Sequence, residues 1–293
     1  MSQEGKIDII VSIYPVYDFA KQVAGDKANI TMLLPPGVEI HDYEPTPQDI
    51  IEIKNSDLFL YLGEQLEPWG DTITSGIDNQ ENIKDVSQGI QLLENEEFEK
   101  EYMPESDEEH DGHEKYDTHI WLDPLKSIEI VRNIEEELVQ KDPENKMYYE
   151  ENAEEYINKL KKLDNDFQET MKNAQKDEIA FGGPFSYAYF IKRYNIKFVT
   201  AYDSCGENGE PSVEKIFKVI QEIKKENLPV VFFKELSSGN IVKTISEETG
   251  AKSLEFNSVH TVTQKQLNDG ETYLSIMYRN LENLKQAMQS EVD

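Results

Sequence analysis

A single cysteine, Cys205, stands among 293 residues. One thiol excludes an intrachain disulfide and a thiolate metal cluster, and it reads as a small loop or core residue. Long apolar runs are also missing, since none approaches the ~18–20 residues of a membrane span. Basic residues are scarce: 29 lysines and arginines face 59 aspartates and glutamates, a formal net charge of −30. Such an excess repels phosphates and argues against a nucleic-acid partner. It suits a protein that meets cations, and it equally serves solubility alone. GxGxxG and Walker sequences are absent, so nucleotide binding lacks its usual signature. HExxH and the GxSxG elbow are absent as well. Gly182-Gly183-Pro184 is a tight turn after a strand and signals nothing more. The first residues, MSQEGKIDIIVSIYP, pass into a strand pattern without a signal peptide. Export would therefore require a leader already removed.

What is present is a distinctive use of five histidines. His41 stands in LLPPGVEIHDYEPTP, His119 in YDTHIWLDP and His260 in LEFNSVHTVT. His110 and His113 lie within the acidic stretch SDEEHDGHEKYD. Imidazole is the commonest protein ligand for borderline metals, so histidines converging in a fold point to a transition-metal site.

Apolar periodicity organises the chain into two halves. KIDIIVSI (6–13), ANITMLL (28–34) and DLFLYLG (57–63) read as strands. Helices YPVYDFAKQVAG, ended by Gly25, and PTPQDIIEIKNS, opened near Pro47, alternate with them. Such alternation implies a parallel sheet flanked by helices. Residues 91–117 are acidic and weakly apolar, and their later part reads as a mobile surface loop.

Between 143 and 174, Tyr149, Ala153, Tyr156, Leu160, Leu163, Phe167 and Met171 recur at spacings of three and four. Pro143 is suited to the first turn and no glycine interrupts the segment. A helix of about 30 residues would be ~45 Å long, a strut between lobes or an amphipathic helix on one domain. Beyond it, EIAFGG (178–183), IKFVTAY (196–202), PVVFFKE (229–235) and AKSLEF (251–256) resume the strand pattern. The expected fold is therefore α/β, with two parallel-sheet lobes joined by one long rigid helix and a metal site in the interlobe cleft. The expected boundaries are 1–142 for the N-terminal lobe, with its acidic His-containing loop at about 104–117, 143–174 for the helix and 175–293 for the C-terminal lobe.

His41 follows a strand after a Pro-Pro-Gly turn. His119 precedes Asp123-Pro124, a natural helix opener, and His260 follows AKSLEF by four residues, in the second lobe. Ligands bind beyond the carboxyl ends of parallel strands, so all three can face one cleft. Any one alone reads as an ordinary buried histidine, but three at equivalent loop positions weigh against that. Zinc takes about four ligands. Glu235, at the end of FFKELSS, is the best fourth candidate, or else an acceptor that fixes an imidazole N–H. Asn257 is a weaker neutral candidate. Glu39 and Asp42 flank His41 and read as solvated. His110 and His113 could collect cations weakly in the local negative potential, or belong to a plain solvated loop.

LLPPGVEIHDYEPTPQDI, THIWLDP, FIKRYNIK, the GEPS turn and KTISEETGAK together resemble the zinc/manganese ABC-transporter substrate-binding proteins (cluster A-I, zinc type). The likeness runs through nearly the whole chain in order. It implies two α/β lobes joined by one long helix with metal between them, and it places His41 and His119 on the two first-lobe ligands. The second lobe departs from the pattern. Gly183-Pro184 stands where the family usually has His or Glu, and Asn257 where it usually has Asp, which leaves His260 to coordinate from that lobe, completed by Glu235, Asn257 or water. The His110/His113 loop resembles the histidine-rich loop of zinc-type members. Three imidazoles favour Zn2+ over the harder Mn2+. The resemblance implies a monomeric, lipid-anchored receptor outside the cytoplasmic membrane, without enzymatic activity, that hands its ion to an ABC permease. Two other functions stay open on residues alone: a zinc hydrolase with Glu235 as general base, and an adhesin-like surface protein with a degenerate metal site.

Overall fold

The computed structural model describes residues 6–38, 43–78, 80–103, 115–202, 211–237 and 239–289. The chain divides into two compact units. Unit 1 comprises Met1–Glu97, Glu105–Lys162 and Val259–Tyr273; unit 2 comprises Phe98–Pro104, Leu163–Ser258 and Leu274–Asp293.

Unit 1 opens with β1 (Ile7–Val11), α1 (Tyr14–Ala24), β2 (Ala28–Met32), α2 (Pro47–Asn55), β3 (Leu58–Tyr61), α3 (Gly70–Ser75) and β4 (Ile83–Asp85). The strands pair in parallel in the order β2-β1-β3-β4, with Ile9 opposite both Ile30 and Leu58. Helix α1 carries Pro15 in its first turn and buries Val16, Phe19, Ala20 and Val23. It stops at Gly25, whose φ of 53° most side chains would oppose. Thr46 and Asp49 close a reciprocal capping box on α2. Helix α4 (Asn95–Tyr102) follows, and α5 (Pro124–Lys141) is capped by the Asp123 carboxylate, which accepts the Leu125 N–H.

The apolar stripe read from 143 to 174 forms α6 (Lys146–Lys172), preceded by a 3-10 turn at Pro143–Asn145. Tyr149, Ala153, Tyr156, Leu160, Leu163 and Phe167 are all buried, as the spacing requires, and Met171 is half-buried. The division between the units falls within this helix, between Lys162 and Leu163.

Unit 2 contains β5 (Glu178–Phe181), α7 (Ala188–Tyr194), β6 (Lys197–Thr200), α8 (Val213–Glu226), β7 (Val230–Phe233), α9 (Asn240–Thr249) and β8 (Lys252–Glu255). Its sheet repeats the first, parallel in the order β6-β5-β7-β8. Phe181, Phe185, Tyr187, Phe190, Phe232 and Phe256 form one aromatic core, with Phe181 and Tyr187 stacked at 4.6 Å. Phe98 of α4 stacks at 6.0 Å on Phe185, which explains why Phe98–Pro104 groups with unit 2. Two helices complete the chain, α10 (Gln264–Asn268) and α11 (Tyr273–Met288). Among the described residues no helix is long and apolar enough to cross a membrane.

In both sheets the strand order reverses between the first and third strands. That reversal opens a crevice beyond their carboxyl ends. Ser12, Leu62 and the following residues lie there in unit 1, and Gly182, Lys234 and Glu235 in unit 2. Gly182 has no room for a side chain, because a Cβ would stand 2.9 Å from Val242.

One expectation requires correction. His260, read as a second-lobe residue, belongs to unit 1, because Val259–Tyr273 returns to it. The physical reason is a set of long-range hydrogen bonds. The Tyr273 hydroxyl donates to the Trp121 carbonyl at 2.6 Å, and its N–H donates to Asp18 Oδ2 at 3.2 Å. The Tyr14 hydroxyl donates to the Glu271 carbonyl at 2.8 Å.

Candidate metal centre

His119 immediately precedes a 3-10 turn, Ile120–Leu122. The two ends of the acidic stretch hold it in place: the Asn95 N–H donates to the Lys115 carbonyl and the Asp117 N–H to the Leu93 carbonyl. Asp117 Oδ1 in turn accepts the His119 backbone N–H at 2.8 Å and lies 3.4 Å from its Nδ1. Ring and carboxylate therefore meet on the Nδ1 side. A carboxylate there favours a proton on Nδ1 and directs the lone pair of Nε2 away from it. The His119 ring is fully buried, its Nε2 included, and packs 5.5 Å from the Trp121 ring. The Trp121 carbonyl accepts both the Ser127 and Tyr273 hydroxyls, so the turn is anchored at its far end as well.

His260 is 2% exposed and its Nε2 is buried. Its neighbours explain its placement. Thr261 Oγ1 accepts the Gly37 N–H at 2.9 Å, which ties the His260 segment to the Pro-Pro-Gly turn within unit 1. Val259 is fully buried and has a φ of 62°. A β-branched residue in that conformation is a genuine outlier, at a cost of about 1–3 kcal/mol that the surroundings must impose.

Glu235 and Asn257 belong to unit 2. Both oxygens of Glu235 are engaged by one residue: Oε2 accepts the Ser258 N–H at 2.7 Å and Oε1 accepts its hydroxyl at 2.5 Å. Asn280 clamps the backbone of Asn257, accepting its N–H and donating to its carbonyl, both at 2.8 Å. The Asn257 side-chain nitrogen donates to Glu255 Oε1 at 3.0 Å. His41, His110 and His113 lie outside the described residues, as do Glu39, Asp42 and Cys205. Among the described residues no group of three or more His, Cys, Asp or Glu side chains forms a metal-holding cluster. His119 and His260 share unit 1, whereas Glu235 and Asn257 do not share it with them.

Residue-by-residue reading missed Asp117 and Glu67. Asp117 had a usable signal, since it stands two places before His119 in YDTHIW. Glu67 had none beyond its occurrence in GEQLEPW. It is 1% exposed, at the crevice of unit 1, where its Oε2 accepts the Leu62 N–H. Burial, with a smaller contribution from the Asp85 charge, pushes its carboxyl up to about 8, against the pull of the hydrogen bond from the Leu62 N–H.

Comparison with known proteins agrees with this architecture. The family model described as zinc-uptake complex component A, periplasmic, matches residues 9–287. The high-affinity zinc uptake system protein ZnuA of Bacillus subtilis (strain 168) is 34% identical over 301 aligned positions, 98% of this chain and 89% of that protein. The zinc-binding lipoprotein AdcA of Streptococcus pneumoniae (strain R6) is 33% identical over 98% of this chain, which spans only 57% of that longer protein. Among solved structures, the metal-dependent lipoprotein YcdH of Bacillus subtilis superposes with a TM-score of 0.81 at 33% identity, over 97% of this chain and 99% of that one. The Zn(II)-bound ZnuA-like domain of Streptococcus pneumoniae AdcA gives a TM-score of 0.80 at 29% identity, over 98% and 100% of the respective chains.

Proposed function

We propose that this chain, which belongs to the zinc-uptake complex component A family, captures Zn2+ outside the cytoplasmic membrane and delivers it to an ABC permease. It acts as a monomeric carrier anchored at the cell surface and not as an enzyme; the ion is its cargo. The observation that carries this reading is the Asp117–His119 pair, a buried imidazole whose Nδ1 faces a carboxylate. His41 and His260 are the other nitrogen ligands, and Asn257 is a weaker neutral candidate. His110 and His113 gather cations before capture, aided by the net charge of −30. Neutral imidazoles match borderline Zn2+ better than Mn2+.

The test is titration of Zn2+, against a competing chromophoric chelator, into protein stripped of metal. One tight site is expected, with Mn2+ weaker, and His119→Ala should weaken Zn2+ binding by at least about tenfold. Bound Zn2+ should also raise the melting temperature. No Zn2+ binding by the unaltered chain, or metal-dependent turnover of ester or peptide substrates, would overturn the carrier reading.

A further inference from the structure

We infer that Glu235 is a positioning residue that aims His260, rather than a ligand that touches the ion. This rests on the reading of His260 as a zinc ligand. The carboxylate grips Ser258 at two points, through the backbone N–H and the hydroxyl, and so fixes both the backbone and χ1 of that residue. Ser258 is fully buried and Glu235 is 8% exposed, so the grip is made out of water, where charge-assisted hydrogen bonds are strong.

What the grip restrains is visible in the backbone. Val259 follows Ser258 with a φ of 62°, and Leu236 follows Glu235 with a φ of 59°. Two residues that disfavour left-handed backbone therefore flank the two partners of one carboxylate pair. Such conformations persist where neighbouring contacts over-determine them, and they concentrate at sites that must aim a side chain. Further pins act on the same stretch. The Tyr187 hydroxyl donates to the Phe256 carbonyl and Asn280 clamps Asn257. Phe256, Asn257 and Ser258 are thus each held, and the chain leaves them through Val259 directly into His260. A carboxylate that spends both oxygens on Ser258 donors is also less available to a cation.

Ligand and positioning roles differ in what glutamine can do. Its amide oxygen accepts the Ser258 N–H and its amide nitrogen can donate to the hydroxyl, so the two-point grip survives without charge. A carboxylate bound to zinc has no such substitute. Zn2+ titration of Glu235→Gln should give an affinity within about threefold of the unaltered chain, whereas Glu235→Ala should weaken it about 10–100-fold. Ser258→Ala, which removes only the hydroxyl half, should fall between them, and it supplies the measurement if Glu235→Ala does not fold. If Glu235→Gln folds and binds as weakly as Glu235→Ala or Ser258→Ala, the carboxylate is needed for its charge and the positioning role is overturned. Wild-type affinity in both Glu235→Ala and Ser258→Ala would overturn it too. Absence of Zn2+ binding by the unaltered chain would instead overturn the carrier function, and an unaffected His260→Ala would overturn the ligand assignment.

Discussion

Glu67→Gln tests whether a neutral carboxyl is built into the first unit. The side chain is buried at the carboxyl ends of β1 and β3, and burial raises its carboxyl from an ordinary 4.5 to about 8. In the unfolded chain it ionises near its ordinary value. Between those two values the folded state binds the extra proton, so stability is fully present below about 4.5 and is lost as pH rises through about 8. Each pH unit across that span costs about 1.4 kcal/mol, so the whole loss is on the order of 5 kcal/mol. Glutamine keeps an oxygen for the Leu62 N–H and has no proton to lose. The variant should match the unaltered chain near pH 4.5 and exceed it by several kcal/mol at pH 8. Urea unfolding followed by circular dichroism at half-unit steps from pH 4.5 to 8, with chelator present so that bound metal adds nothing, gives the difference directly. Its slope is the readout, about 1.4 kcal/mol per pH unit over the middle of the range. Parallel curves for the two proteins, or a glutamine variant weaker than the unaltered chain at pH 8, would refute the reasoning.

Two further outcomes follow from buried polar contacts. Thr261→Val removes the acceptor for the Gly37 N–H while keeping the shape; a loss of about 0.5–1 kcal/mol in unfolding free energy is expected because Gly37 can turn to water. Zn2+ affinity should fall several-fold in that variant and stay normal in Thr261→Ser, since the hydroxyl ties the turn before His41 to the residue after His260. In unit 2, Asp164 accepts Arg193 at 3.0 and 2.7 Å and the Tyr194 hydroxyl at 3.0 Å, and is 4% exposed. Asp164→Ala leaves the Arg193 charge half-buried without its carboxylate. The denaturation midpoint should register a loss of about 2–4 kcal/mol, somewhat below the value for a fully buried pair, with Zn2+ affinity of the folded protein unchanged.

Much of the fold is legible in local pattern. The alternation of KIDIIVSI, YPVYDFAKQVAG and ANITMLL reports each element's own faces, and the stripe from Tyr149 to Phe167 reports which side of α6 is covered. Periodicity does not report what does the covering. Phe98 is one aromatic residue in an acidic helix, and nothing local says that it stacks on Phe185 and Phe198. The return of Val259–Tyr273 to unit 1 was hidden for the same reason. His260 stands four residues beyond the last strand of unit 2, and proximity along the chain assigned it there. Its actual unit is decided by Tyr273, Thr261 and Glu271, whose partners lie between 146 and 257 residues away. The Asp117–His119 pair was closer to legible, because a carboxylate two residues from an imidazole is a local feature with a local geometry.

Selectivity rests on which groups can reach the ion. The chain is strongly acidic, and carboxylates are the ligands that hard divalent cations prefer. An acidic metal receptor must therefore keep its own carboxylates from admitting the wrong ion. Two buried glutamates follow the third strand of their own units, Glu67 after β3 and Glu235 after β7. Both are turned to backbone N–H groups: Glu67 to Leu62, and Glu235 to Ser258. Asp117 is likewise occupied with the His119 N–H and ring. Asp117 and Glu235, occupied in this way, fix the turns around them. The surface charge can then concentrate cations of every kind while the buried nitrogens discriminate among them. Under the proposed ligand set, attraction and selection are assigned to different side chains, and conversion of His260 to aspartate should shift preference from Zn2+ toward Mn2+ in a competition titration.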